Sequence, residues 1–188
     1  MGETGERRLT YDDLLGRPET SRFEELIDGE LVVSPSPTWV HQRVVRELTY
    51  ELVTWSREHG GEVGVGPVDV LVDLNTVVQP DLFAYAPGAV PEMLERPLRD
   101  PPGLVVEILS PGNRAHDLVR KRAIYERFGV RELWFVDVEA GAVEQVVASE
   151  QGTFGASRMH ERGGEFVSDV LPGLRLAVTA IVGSAPHA

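Results

Sequence analysis

The chain has 188 residues, 42% hydrophobic and 26% charged, a balance that excludes disorder, collagen-like sequence and a disulfide-dense scaffold and predicts one globular domain over 1–188. There is no cysteine, which excludes disulfides, iron–sulfur clusters, thiolate zinc sites and a cysteine nucleophile, and a reducing compartment is expected. Thirty acidic against 18 basic residues give a formal charge of −12, which opposes diffuse binding to a polyanion unless positive charge is gathered locally.

Taken in chain order, Thr10-Tyr11-Asp12-Asp13 forms a capping-box pattern that opens a short helix, closed by Gly16 and Pro18. Phe23 to Ser34 predicts a hairpin turning at Asp28-Gly29. Thr38 caps a long helix to His59, with Val40, Val44, Val45, Leu48, Leu52 and Trp55 on one apolar stripe and Gly60-Gly61 as its stop. Strands are expected over 62–65, 68–73 and 76–85. A Pro/Gly-rich stretch, 86–103, then predicts an irregular, mobile excursion. Leu104 to Leu109 has the near-continuous apolar character of a buried strand. Asn113 is the expected cap of a helix from Arg114 to Phe128, and 132–138 and 142–148 form a further hairpin. The tail predicts a last hairpin and short closing segments. Strand-helix-strand over 104–138 is the one convincing crossover, so the expected class is α/β (α+β): a mixed β-sheet flanked by helices. With no run of 18 apolar residues and a charged start, no membrane span or export signal is expected, and the cytoplasm is the expected location.

The chemistry-bearing residues stand out by their neighbours. Glu107 lies within Leu-Val-Val-Glu-Ile-Leu-Ser, where a buried carboxylate must be paired, protonated or bound to a cation. The alternative is a charge at the strand's exposed end. Asp81 follows Pro80, which cannot donate to a ladder and marks an edge, a bulge or a strand end. Two acids on neighbouring strands suit a hard divalent cation, or are unrelated surface acids. Of the 18 basic residues only Lys121 is a lysine. Asp117, Lys121 and Tyr125 share one face of the predicted helix, so the chain's one ammonium side chain either approaches those acids or makes an ordinary helix pair with Asp117. Glu25 alternates with Phe23 and Ile27 and points inward, as a further ligand or an arginine partner. Gln79, two residues before Asp81, either orients a water or is simply solvated. Around the helix, Arg114, Arg120, Lys121, Arg122, Arg127 and Arg131 outnumber Asp117 and Glu126, a local +4 that suits a phosphate track or a solvated helix face. No phosphate loop, His-Glu-x-x-His pair or Gly-x-Ser-x-Gly elbow is present.

Gln-Pro-Asp81, Val-Val-Glu107-Ile-Leu-Ser-Pro, Asp117-x-x-x-Lys121-x-x-x-Tyr125 and Gly129-Val-Arg-Glu-Leu-Trp-Phe-Val-Asp137 together resemble the Uma-type family of restriction-endonuclease-like proteins, within the PD-(D/E)XK nuclease superfamily. Glu25-Leu-Ile-Asp-Gly29-Glu-Leu and Ser34-Pro-Ser-Pro-x-x-x-His41 match its N-terminal pattern, and the resemblance spans about Phe23 to Val147. It implies a restriction-endonuclease-like core, homodimers, and a DNA endonuclease whose Asp81, Glu107 and Ile108 carbonyl hold Mg²⁺, or Mn²⁺, with Lys121 orienting the nucleophile. Asp117 would fix Lys121, Tyr125 would close the site or contact phosphate, His41 could touch substrate, and Arg114, Arg120 and Arg122 would follow the nucleic acid. The superfamily lysine two residues after the second acid is replaced by Leu109, and Lys121 matches a displaced variant. Two other functions fit the same residues: a non-catalytic dimeric module binding nucleic acid or protein, and a metallohydrolase acting on another phosphate ester.

Overall fold

The computed structural model describes residues 7–18, 20, 22–92, 96–109 and 114–184, without the side chains of 114–117. Helix α1 (Tyr11–Leu15) starts at the expected capping box: Thr10 Oγ1 accepts from Asp13 N, and Asp13 accepts from Thr10 N at 2.9 Å. Strands β1 (Phe23–Ile27) and β2 (Glu30–Ser34) form the hairpin. Its turn places Asp28 and Gly29 at φ 53° and 86°, the left-handed pair that a two-residue hairpin requires.

Helix α2 (Trp39–His59) is capped by Thr38, whose hydroxyl accepts from His41 N at 3.2 Å, and it ends at left-handed Gly60. Val44, Leu48, Leu52 and Trp55 form its buried stripe. Val40, expected on that stripe, is 45% exposed, because the helix meets the sheet only from Val44 onward.

Strands β3 (Glu62–Val65), β4 (Val70–Asp73), β5 (Thr76–Val78), β6 (Leu82–Tyr85) and β7 (Leu104–Ile108) follow, then α3 (Arg114–Phe128). After it come β8 (Glu132–Asp137), β9 (Ala142–Val147), β10 (Arg158–Glu161), β11 (Glu165–Val167), β12 (Arg175–Ala177) and α4 (Val178–Val182). The expected mixed sheet is present as six strands in the order β10-β9-β8-β7-β6-β3, and β7 and β8 pair in parallel across the predicted crossover. Four antiparallel strands, β2-β1-β5-β4, make a separate sheet, and β11 pairs with β12.

Three expectations are corrected. The run 76–85 is two strands in two different sheets, because Pro80 interrupts the ladder and the chain changes sheet at Gln79-Pro80-Asp81. The strand expected from Val68 begins at Val70. The 86–103 stretch is anchored instead of free: Leu98 is 5% exposed, its amide donates to the Asp69 carbonyl and its carbonyl accepts from Leu71 N, both at 2.8 Å. The cap expected at Asn113 lies outside the described residues. No helix of the described residues is long and apolar enough to cross a membrane.

Alternation along the central strands sorts two cores. Leu82, Ala84, Leu104, Val106 and Ile108 face α2 and the C-terminal elements. Phe83, Tyr85 and Val105 face the other way, toward Ile27 of β1 and Ile124 and Tyr125 of α3. Fully buried leucines of this kind each contribute about 2–5 kcal/mol by the cost of truncation to alanine.

The C-terminal hairpin is fastened by one anion. Glu132, fully buried, accepts from Trp134 Nε1 and Gln145 Nε2 at 2.6 Å through one oxygen. Its other oxygen accepts from Ser168 Oγ, Asp169 N and Val170 N at 2.8–3.0 Å. Five donors satisfy the carboxylate without a cation. Glu132→Gln turns one acceptor oxygen into a donor facing donors, and a loss of about 3 kcal/mol is expected from urea unfolding; an unchanged midpoint would show that the network carries no stability.

Candidate active site

The chain's passage from one sheet to the other creates the site. Gln79-Pro80-Asp81 has left the ladder of β5 and has not yet joined β6, so Asp81 is carried on irregular backbone at the end of a strand. This backbone is held by Gly66, whose amide donates to the Asp81 carbonyl at 2.8 Å. Only glycine fits there, since a Cβ at Gly66 would lie 2.6 Å from the Pro80 carbonyl oxygen. Leu82 pairs with Val106, placing Asp81 close to Ile108 on the neighbouring strand. Glu107 alternates with Val106 and Ile108 and therefore shares the face of Val105, toward α3. Glu25 alternates with Leu26 in the same way and shares the side of Ile27.

Lys121 joins these elements. Its Nζ lies 2.7 Å from Glu25 Oε1 and 3.0 Å from Glu107 Oε1. Tyr125, one turn further along α3 and fully buried, donates its hydroxyl to the same Glu107 oxygen. Both oxygens of Asp81 are engaged: Oδ2 accepts from Ile108 N at 2.7 Å, and Oδ1 lies 3.2 Å from His41 Nε2. Thr38, by capping α2 through His41 N, sets the imidazole at this distance. Gln79 N donates to Glu25 Oε1 at 2.7 Å, and Gln79 Nε2 donates to Asp69 Oδ1 at 2.8 Å, which leaves the amide oxygen as the remaining polar atom of that side chain.

The charge is unbalanced. Counted formally, Glu25, Asp81 and Glu107 are three carboxylates against one ammonium, a surplus of two acids before their protonation is considered. Burial pushes the Glu107 carboxyl up to about 7; Lys121 opposes the rise, Asp81 and Glu25 add to it, and the Tyr125 hydroxyl opposes it. Lys121 is held above the usual lysine value: burial works against its charge, but Glu107 and Glu25 outweigh it. Tyr125 is raised by burial first and by the negative charge of Glu107 second. Burial disfavours protonation of His41, yet the hydrogen bond to Asp81 and its charge prevail, and the imidazole lies above its ordinary value.

A cavity of about 220 Å³ opens onto this group, lined by Glu25, His41, Gln79, Asp81, Glu107, Ile108 and Lys121 on its polar side. Phe23, Val32, Pro35, Pro37, Leu109 and Phe135 are apolar residues of the same lining. Two buried side-chain atoms lack a partner among the described residues, His41 Nδ1 and Gln79 Oε1, and both belong to residues of this cavity. Gln79 Oε1 is an acceptor, and His41 Nδ1 is one only while the imidazole is neutral with Nε2 donating to Asp81. Oxygen donors, surplus negative charge and unpaired acceptors fit a hard divalent cation, which Asp81 and Glu107 could hold. Among the described residues, no three histidine or acidic side chains form a ready-made metal cage, and it is the ammonium that lies between Glu25 and Glu107.

The sequence-derived candidates divide. Glu25, His41, Gln79, Asp81, Glu107, Ile108 and Lys121 come together, whereas Tyr125 lies behind the site as a buried donor to Glu107 instead of at its mouth. The side chains of Arg114 and Asp117 lie outside the described residues. Arg120 and Arg122 are not part of the cavity lining. Arg120 donates to the Ile27 carbonyl and Glu30, and Arg122 packs over Phe154 and donates to the Gly155 carbonyl. Arg127 pairs with Asp28 and Asp73, so three of these arginines are engaged by the fold itself. Asp69, which orients Gln79, was missed; its position within the apolar run Val68-Asp69-Val70-Leu71 is the same signal that exposed Glu107.

The pH consequence of the raised Glu107 carboxyl has a definite sign. A folded-state value above the unfolded one contributes stability that is complete below the unfolded value and is lost as pH rises through about 7. The stability difference between the wild type and Glu107→Gln, measured by urea unfolding in chelator, is expected to shrink as pH rises from about 5 to about 8. A pH-independent difference would contradict the shift.

Comparison with known proteins adds to this geometry. A crystal structure titled as a putative nuclease belonging to DUF820, from Anabaena variabilis ATCC 29413, superimposes with a TM-score of 0.79 at 16% identity, over 93% of this chain and 97% of that one. The likeness is one of fold. No curated protein matches the sequence. The family model Uma2, described as "Putative restriction endonuclease", matches residues 9–179, and the chain therefore belongs to the Uma2 family.

Proposed function

We propose that the protein is a Mg²⁺-dependent endonuclease that hydrolyses DNA phosphodiester bonds. The observation that carries this reading is the meeting of Asp81, Glu107 and the chain's one lysine side chain at a single cavity. Membership of the Uma2 family and the nuclease fold support it.

Asp81 and Glu107 would hold the cation, with the Ile108 carbonyl as a further oxygen donor. When bound, a divalent ion neutralises charge on the scissile phosphate and acidifies a water beside it. Lys121 supplies a cation whose charge is secured at any physiological pH, available to the extra negative charge that the phosphate gains in the transition state. His41 and Ile108 N between them fix the rotation of the Asp81 carboxylate. Tyr125 does the same for Glu107 from behind. Gln79 and His41 line the cavity beside Asp81, where they would flank the attacking water. Phe23 and Phe135 are apolar neighbours of the acids in the lining and would limit bulk water beside them.

With a formal charge of −12, DNA is not held by the overall field of the chain. Asp81 and Glu107 would draw phosphate locally only through a cation they hold, and a homodimer would present two such sites to one duplex. With Arg120, Arg122 and Arg127 engaged by the fold, the complex would be expected to depend on the cation even for binding.

Supercoiled plasmid incubated with the purified chain is expected to be nicked in Mg²⁺ or Mn²⁺ and left intact in chelator. Asp81→Asn, Glu107→Gln and Lys121→Ala should each lower the rate on the order of 10²- to 10³-fold while leaving the circular dichroism spectrum unchanged. Absence of nicking with either ion, or an Asp81→Asn variant as active as the wild type, would reject the assignment.

A further inference from the structure

The one ammonium side chain of the protein occupies a place that a divalent cation would want. Lys121 Nζ bridges Glu25 Oε1 and Glu107 Oε1 at 2.7 and 3.0 Å, and its side chain is only 12% exposed. A hard ion taking Glu107 would meet a second positive charge at contact distance, and the two would repel strongly where the lysine side chain is so little exposed to screening water. Glu25 offers the ammonium a second anchor. It comes from β1, in the other sheet, and its carboxylate is steadied by the amide of Gln79 independently of Glu107. Tyr125 in turn keeps Glu107 oriented whether or not the ammonium stays beside it. The other oxygens of both glutamates, Oε2 in each case, accept no hydrogen bond among the described residues.

We infer that Lys121 is the resting counter-ion of the site and that cation binding is an exchange: the divalent ion takes Glu107, and the ammonium withdraws to Glu25. This inference rests on the reading of Asp81 and Glu107 as cation-holding residues. It assigns Glu25 as the positioning residue that holds Lys121 when the ion is present. It also accounts for the lack of a preformed acidic cage among the described residues, since the ammonium stands where the cage would close.

The exchange gives the two partners opposite signs in a binding measurement, which simple damage to the fold would not. Mn²⁺ affinity of the full chain is measured by isothermal titration calorimetry without DNA. Lys121→Met removes the competitor and is expected to tighten Mn²⁺ binding at least about tenfold, with a larger Mn²⁺-induced rise in Tm, even though its nicking rate should fall as for Lys121→Ala. Glu25→Gln leaves the ammonium with Glu107 alone and is expected to weaken binding by about tenfold. Equal or weaker binding by Lys121→Met overturns the exchange, as does a wild type that binds no Mn²⁺.

Because the chain has one lysine, ¹⁵N-lysine labelling of the wild type reports the same event without any substitution. The Lys121 side-chain resonance should move on titration with diamagnetic Mg²⁺ and saturate with the calorimetric affinity, and a resonance that stays still overturns the proposal. The two readings fail separately. A wild type that binds the ion with the expected signs but never nicks DNA rejects the nuclease and keeps the exchange, whereas nicking by a chain whose lysine resonance ignores Mg²⁺ does the reverse.

Discussion

The contact on which the site depends is the ammonium of Lys121 held between two buried carboxylates. Glu25 belongs to the four-stranded sheet and Glu107 to the six-stranded one, so this side chain is the electrostatic link between the two sheets as well as the counter-ion of the cavity. An uncompensated carboxylate at either position would cost several kcal/mol. Helix α3 is set by the same constraint: Lys121 and Tyr125 point at Glu107 while Arg120 and Arg127, on its flanks, reach Glu30 and Asp28 of the β1–β2 hairpin. The helix is thereby fixed between the sheets by charge as well as by Ile124 in the apolar core.

Asp81 is held in a different manner. Among the described residues it has no ion pair with an arginine and none with Lys121; a backbone amide and an imidazole hold its two oxygens. Neutral or weakly charged donors orient a carboxylate without cancelling its charge, which leaves Asp81 able to attract a cation while Glu107 is partly compensated. The two acids that look alike in the sequence therefore have unequal electrostatic standing.

Features set by short-range chemistry were legible in the sequence. The Asp28-Gly29 turn, the Thr10 and Thr38 caps, the Val44 to Trp55 stripe and the crossover through α3 each follow from a few adjacent residues. Glu107 was visible because its neighbours are apolar, and Lys121 because no other lysine competes with it. What escaped depends on partners far along the chain. Residues 76–85 look like one strand, since Thr76-Val-Val and Leu82-Phe-Ala-Tyr85 have the same character, and only Pro80 hints that they serve different sheets. For Arg120, Arg127 and Arg122 of α3, the partners Glu30, Asp28 and the Gly155 carbonyl are all distant in sequence and could not be read from the helix. The 86–103 stretch looks unattached because its ties, at Leu98, Asp100 and Gly103, run through backbone groups that leave no side-chain pattern in the sequence. Tyr125 was on the correct helix face, but spacing alone could not tell a residue at the cavity mouth from one sealed behind it.

The hydroxyl that begins α2 has a remote effect on the acids. Thr38 secures the amide of His41, and the ring of His41 meets Asp81, so the fraying equilibrium of a helix terminus is wired to the rotational freedom of a carboxylate on another element. Warming or mutating the start of that helix would therefore register first as blurred aim at the acid rather than as lost secondary structure.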